Sequence, residues 1–314
     1  MKRPGHRVVH HLLVPAVLAL SVASWIFRAE GQQFLTDHTV RLDATSCVLL
    51  SLICGLFLIE RLYPANEAWN GHLFSVEPGG LRRDLVYLFF ITQFSAVLIS
   101  AASTRTKVAI ADLALPALWP GDAPFGVKVA LAFLLVELGS YWLHRAAHHV
   151  PLLWQFHSTH HVITQLSGLK ALRTHPVENV GFYFVRNVPL LLLGAGAEEV
   201  IAATSFGAIL GILAHTNVDV SERFGLLINL PRYHAVHHSA DLAESRSNFG
   251  CHTVLWDRVF GTFRRAAQPP LVIGVMPVGT RTFWDELISP FYRRCADQSS
   301  SFQTLTAASM GCAP

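Results

Sequence analysis

Charge is what this sequence has least of. Only 14% of its 314 residues are charged, while 52% are hydrophobic; a soluble domain carries about 25% charged residues. That deficit argues against an ordinary water-soluble domain and for a chain built into a membrane. Cysteine is scarce too. The five, Cys47, Cys54, Cys251, Cys295 and Cys312, form no CxxC pair, which argues against a disulfide framework and a cysteine zinc site and fits a reducing compartment or lipid. The net charge is only +3, with no basic run interleaved with aromatics, so no nucleic-acid partner is expected. HExxH is missing: the nearest stretch, HRAAH at 144–148, has Arg145 where a zinc protease needs its glutamate base. A GxSxG elbow and repeats at solenoid periods are missing as well.

Long apolar runs are present. The start, MKRPGHRVVHHLLVPAVLALSVASWIF, has a basic end and an apolar stretch that continues to Phe27 without a small-residue cleavage site, which predicts an uncleaved first membrane helix. Residues 44–59, residues 85–104 and the run after Lys128 are close to the roughly 20 residues a span requires. Two shorter runs, 181–196 with Arg186, Asn187 and Pro189 inside it, and 200–214, read as a re-entrant pair or as helices buried in protein. The expected fold is all-α: an integral membrane helical bundle of about four transmembrane helices, with a cytoplasmic helical cap holding a histidine-rich dimetal site. Lys2, Arg3 and Arg7 put the N-terminus inside. Four crossings return the chain to that side near Leu143, so the histidine clusters are expected to be cytoplasmic. Arg223, Arg232, Arg246, Arg258, Arg264 and Arg265 agree with this, while Arg105, Lys107 and Lys128 run against it.

Histidine is also plentiful. Of 17 histidines, eleven fall between 144 and 238. His144 and His148 are four apart; His157, His160 and His161, and again His234, His237 and His238, are spaced i, i+3, i+4. On a helix each set shares one face, and three such faces aimed at one point would gather eight imidazoles. Neutral imidazole ligates iron, zinc, copper and nickel. Eight donors exceed what one ion takes, zinc normally having four, so two ions fit the count. One HxxxH pair arises by chance on exposed helices, but three sets do not, and burying them unpaired would be costly. Iron is favoured over zinc because it activates O2. His6, His10, His11, His38 and His72 receive no role.

The order HxxxH, HxxHH, HxxHH among hydrophobic segments resembles the fatty acid hydroxylase/sterol desaturase superfamily over about residues 60–265. Supporting phrases are ERLYP (60–64), RRDLVY (82–87), LRTHPVE (172–178), HTN (215–217), NFG (248–250) and WDRVFGT (256–262). The resemblance implies a membrane diiron enzyme that uses O2 and two electrons to hydroxylate a lipid, an acyl chain or polar lipid, in lipid biosynthesis. By it, His144, His148, His157, His160, His161, His234, His237 and His238 are the catalytic metal ligands, His215 is an additional ligand, and His175 is a ligand or a ligand's neighbour. His149 stands one step off the first box. A separate electron-transfer protein of cytochrome b5 or ferredoxin type is expected.

Glu137, Glu178, Asp241, Asp257, Asn217 and Asn248 are candidates to orient the imidazoles. Trp256 and Phe260 read as packing, and Arg173 and Arg232 as cations that meet a lipid phosphate or the electron donor, or that snorkel to the interface. Three regions are expected: an N-terminal transmembrane region (1–125), a hydroxylase/desaturase-like catalytic domain (126–265) and a partly disordered C-terminal tail (266–314). Sterol-type C–C desaturation at the same site is the nearest alternative. A metal transporter fits less well, because transporters hold ligands mid-membrane in broken helices. A bis-histidine haem protein would declare itself by a Soret band.

Overall fold

The computed structural model describes residues 5–38, 43–70, 80–265, 270, 272–274 and 282–291. Lys2, Arg3, His72 and residues 292–314 of the expected tail lie outside them. Among the described residues the protein is helical, with two isolated β-bridges, Ile228 to Thr253 and Ser239 to Ile273. The helices are α1 (Gly5–Ile26), α2 (Arg28–Asp37), α3 (Ala44–Leu62), α4 (Leu81–Val86), α5 (Thr92–Asp112), α6 (Phe125–Ala147), α7 (Pro151–His161), α8 (Pro176–Leu193), α9 (Ala197–His215), α10 (Pro231–His237), α11 (Leu242–Ser245), α12 (Leu255–Val259) and α13 (Phe283–Ile288).

Helices α4 and α5 are joined by a π-helical turn, Tyr87–Ile91, into one continuous element. In that turn both the Thr92 N–H and its Oγ1 reach back five residues to the Tyr87 carbonyl.

Among the described residues five helices are long and apolar enough to cross a membrane: α1, α3, Leu81–Asp112, α6 and α9. Their outer faces keep large apolar side chains exposed, Phe89, Phe90, Phe94 and Val97 among them, an arrangement suited to lipid and hostile to water. Inside, Leu13, Val14 and Val17 of α1, Ile53 and Leu56 of α3, and Leu210 and Leu213 of α9 share one core. On α6 the buried face runs Ala132, Val136, Glu137, Ser140, Tyr141 and His144. The same stripe that packs the helix therefore carries polar groups toward its C-terminal end.

The contacts give the bundle two distinct ends. At one end α1 begins, with the His10 carbonyl accepting from Ser221 N–H at 2.8 Å. There α3 finishes, with Glu60 in its last turn bonded to Ser167 Oγ at 2.6 Å, and α4 begins, with Asp84 on Lys170. Helix α6 ends there too, with His144 in its last turn. At the other end Lys128, at the start of α6, pairs with Glu199 at 2.8 Å, and Arg28, beyond α1, pairs with Glu198 at 2.6 Å.

Helices α8 and α9 run between these ends, each packed on α6. Gly194 ends α8 in the left-handed region at φ 85°, and Leu193 O accepts the N–H groups of Leu118 and Trp119 from the loop before α6.

The expectation was about four spans with a short segment at 200–214. The structure instead extends that segment to the 19 residues of α9, giving five helices of spanning length. Glu198 and Glu199 lie outside the apolar run but sit in the first turn, where carboxylates favour a helix. At Gly139 the helices α6 and α8 approach closely, since a Cβ there would strike the Val185 carbonyl.

Candidate metal centre

Proline starts both short histidine helices: Pro151 is the first residue of α7 and Pro231 of α10, a position that needs no N–H. His144 lies in the last turn of α6, His148 caps it, and His215 closes α9. All the boxed histidines and His215 are buried.

They gather into two groups: His144, His148, His157, His161 and His237, and separately His160, His215, His234 and His238. The aim at one point expected from the sequence is thus replaced by two. Both HxxHH helices divide their histidines between the groups. Positions i+3 and i+4 lie about 60° to one side and 40° to the other of position i, so one such helix can face two foci.

The proton inventory tells what the groups need. His144 Nδ1 donates to the Phe249 carbonyl at 2.7 Å, and His157 Nδ1 donates to Glu178 Oε1 at 2.5 Å. Carbonyl and carboxylate only accept, so in the neutral rings both Nε2 atoms are bare lone pairs, and they face each other at 3.0 Å. The second group repeats this. His160 donates to the Arg173 carbonyl at 3.2 Å and His215 to the Gly211 carbonyl at 2.7 Å, while their Nε2 atoms stand 3.0 Å apart. His237 Nδ1 donates to the Ser247 carbonyl at 2.9 Å, and its buried Nε2 has no hydrogen-bond partner among the described residues.

Lone pairs held nose to nose in a buried site repel unless a cation lies between them. Two nitrogens bound at about 2.1 Å and at right angles would be about 3.0 Å apart, against about 3.4 Å for a tetrahedron. The donor set therefore fits metal ions, which these nitrogens would hold.

Burial, with neighbouring imidazoles adding to it, holds His160 down to about 4 and His237 to about 3, and His161, His234 and His238 well below the usual range. These rings stay neutral, as ligands must. Below pH 6.5 the unfolded chain takes up protons that the folded chain cannot accept, so stability falls with pH. Chelator-stripped protein should show a flat melting temperature from pH 8 to 7 and a declining one from 6.5 toward 5. A rise over the lower interval would count against neutral, buried rings.

A sequence model of the fatty acid hydroxylase family matches residues 129–262. An ornithine lipid hydroxylase from Rhizobium tropici is 30% identical over 297 residues, which cover 92% of this chain and 86% of that protein. The chain belongs to the fatty acid hydroxylase family. Alkylglycerol monooxygenases are more distant in coverage. The one from Danio rerio is 30% identical over 156 residues, 49% of this chain and 34% of that protein; the human one is 31% identical over 165 residues, 51% and 36%. No solved structure matches.

This fatty acid hydroxylase family member supports its histidines through carboxylates, at differing removes. Glu178 touches a clustered ring directly. Asp257 accepts from the N–H groups of Phe249 and Gly250 at 2.8 and 2.7 Å, and so fixes the carbonyl that holds His144. Asp241 caps α11. Asn217 ties the chain at Asn66. Asn248, at φ 54°, joins the Tyr233 carbonyl to Arg264 N–H. Trp256 and Phe260 stack on each other as packing.

Two further histidines near the boxes, His149 and His175, are not brought to either group. His149 is exposed on the Arg145 carbonyl. His175 caps α8, its Nδ1 accepting from Val177 N–H at 3.1 Å and its Nε2 donating to the Leu287 carbonyl at 2.9 Å. Arg173 is buried on Asp84, and Arg232 pairs with Glu222.

A cavity of about 520 Å³ opens onto both groups between α5, α8 and α9, lined by His144, His157, His160, His215 and His234 at its metal end. Its wall includes His252, which sequence spacing did not mark, because it is a single histidine in a loop. His252 is buried on Glu137, and its ring lies flat in a groove that Gly207 and Gly211 leave on α9.

Proposed function

We propose that this chain is an O2-dependent, non-haem diiron oxidoreductase that hydroxylates a membrane lipid, an acyl chain or polar lipid, in lipid biosynthesis. O2, two electrons and two protons convert a C–H bond to C–OH with release of one water, and the electrons come from a separate donor of cytochrome b5 or ferredoxin type. The observation that carries the reading is the opposition of lone pairs at 3.0 Å within each histidine group. The similarity to lipid hydroxylases supports it. His144, His148, His157, His161 and His237 would hold one iron, and His160, His215, His234 and His238 the other. When bound, the iron pair supplies the power to oxidise an unactivated C–H bond with O2.

The chain contributes position, charge and enclosure. Nδ1 bonds to backbone carbonyls and Glu178 lock the ring orientations, the role such partners play at metal sites. An all-imidazole donor set adds no negative charge, so the site keeps the cations' charge. The cavity admits a lipid segment to the histidines from the bundle interior and limits water there. Residues 126–265 form the catalytic domain on this reading, with 1–125 as the membrane region and 266–314 as a tail. Arg7 lies in the first turn of α1, at the histidine end of the bundle, and with Lys2 and Arg3 it supports a cytoplasmic metal site.

Protein from iron-57 medium should contain about two irons per chain, coupled as a pair in its Mössbauer spectrum. Reduced, it should consume O2 when lipid is added and return a lipid with one added oxygen atom. One metal or none, unchanged in His144→Ala and His237→Ala, would remove the reading. Iron-loaded protein inert to O2 with lipid would favour transport.

A further inference from the structure

Among the described residues Arg186 is a cation without an anion. It lies near the middle of the 18-residue α8, half-buried, and lines the cavity. Its Nε donates to Ser140 Oγ at 2.7 Å, and its guanidinium lies over the Phe182 ring at 4.5 Å. Among the described residues no carboxylate pairs with it. The other two arginines placed to meet a lipid oxyanion, Arg173 and Arg232, are committed to Asp84 and Glu222. An arginine within an apolar bundle is costly and marks a substrate path, and from mid-helix it cannot snorkel as it could from a helix end. Serine and phenylalanine fix one edge and one face of the fork, the Cys251 thiol takes a further hydrogen bond, and the other N–H donors are left for an oxyanion.

Its neighbour locates it relative to the metal centre. Its guanidinium also hydrogen-bonds the Cys251 side chain. Cys251 Sγ is in turn 3.7 Å from His144 Nδ1. One side chain therefore separates the guanidinium from a clustered histidine. Asn179, Asn187, Thr92 and Thr204 add polar groups to the same cavity.

We propose that Arg186 anchors the substrate by binding an oxyanion of the lipid, carboxylate or phosphate, inside the cavity beside the His144 group. The oxidised carbon then lies in or next to the polar headgroup, because the anchor sits too near the histidines for a mid-chain carbon to be the one presented. The regiochemistry rests on the hydroxylase reading; the binding does not.

The test is equilibrium binding to the purified full-length protein in detergent, without reductant, using radiolabelled palmitic acid, dioleoyl phosphatidic acid and uncharged cetyl alcohol. Wild type should bind at least one anionic lipid about tenfold or more tighter than the alcohol. Arg186→Gln should lose that preference and keep its affinity for the alcohol, and Arg186→Lys should retain part of it. Preference for palmitic acid assigns a carboxylate, and preference for phosphatidic acid a phosphate. No anionic preference in wild type, or an undiminished one in Arg186→Gln, overturns the proposal. If Arg186→Gln does not fold, the wild-type preference and its partial survival in Arg186→Lys decide. Anionic binding lost in the variant while wild type oxidises no lipid would sink the hydroxylase reading alone. Normal KM for an anionic lipid in Arg186→Gln would sink the anchor alone.

Discussion

Alanine in place of His161 should release one metal ion per chain and leave the other. His238→Ala should release the other ion. The two rings stack with centroids 4.4 Å apart, yet they belong to different groups, so proximity alone would predict a shared loss. Adjacent His160 and His161 divide in the same way. His238 comes from the group of four and His161 from the group of five, so the vacancy left by His238 should be the harder to tolerate. Each variant should also lose activity by at least about 100-fold, the upper end of what losing a mere supporter of a ligand costs. Elemental analysis per chain decides the matter. Both metals lost from each variant, or neither from either, would remove the two-group assignment.

Asp84→Asn should be the most destabilising change outside the histidines. Asp84 is buried, with Lys170 Nζ at 3.0 Å and Arg173 Nε at 2.5 Å. Removing one member of a buried ion network costs about 3–5 kcal/mol, because the charge left behind is uncompensated. Lys170 can escape: burial, aided by Arg173, already holds it down to about 8 against the pull of Asp84, so it would shed its proton near neutrality. Arg173 cannot deprotonate. Its carbonyl holds His160, so the damage should spread to the second metal group. A lowered unfolding midpoint in detergent, with metal lost preferentially from the group of His160, is the expected result. An unchanged midpoint would show the network to be dispensable.

The sequence declared its metal chemistry because imidazoles at i, i+3, i+4 can be read without knowing the fold. It did not declare the partition. That depends on how α7 and α10 face each other, a tertiary property. Glu178 and Asp241 looked equivalent as candidate supporters. One meets His157 and the other caps a four-residue helix, a difference set by which helix starts beside the site. His175 was expected as a ligand or a ligand's neighbour in an extended turn before Pro176; it is extended there, and its ring caps α8 outside both groups. Membrane character was plain from the charge deficit. The full length of α9 was hidden by Glu198 and Glu199, whose pairing with Arg28 and Lys128 only the folded bundle reveals.

The π-helical turn at Tyr87–Ile91 amounts to one supernumerary residue spliced into an otherwise regular helix. Excising it would spare every span its length, yet swing all of Thr92–Asp112 by about 100°. Ser95, which now accepts from Asn179 beside the cavity, would turn away, and Gln93, Ala96, Val97 and Ser100 would take the places that Thr92, Ser95, Ala96 and Ile99 hold on the cavity wall. What lines this chamber thus hangs on a reading frame kept within a single helix, about fifty residues before the first clustered histidine is made.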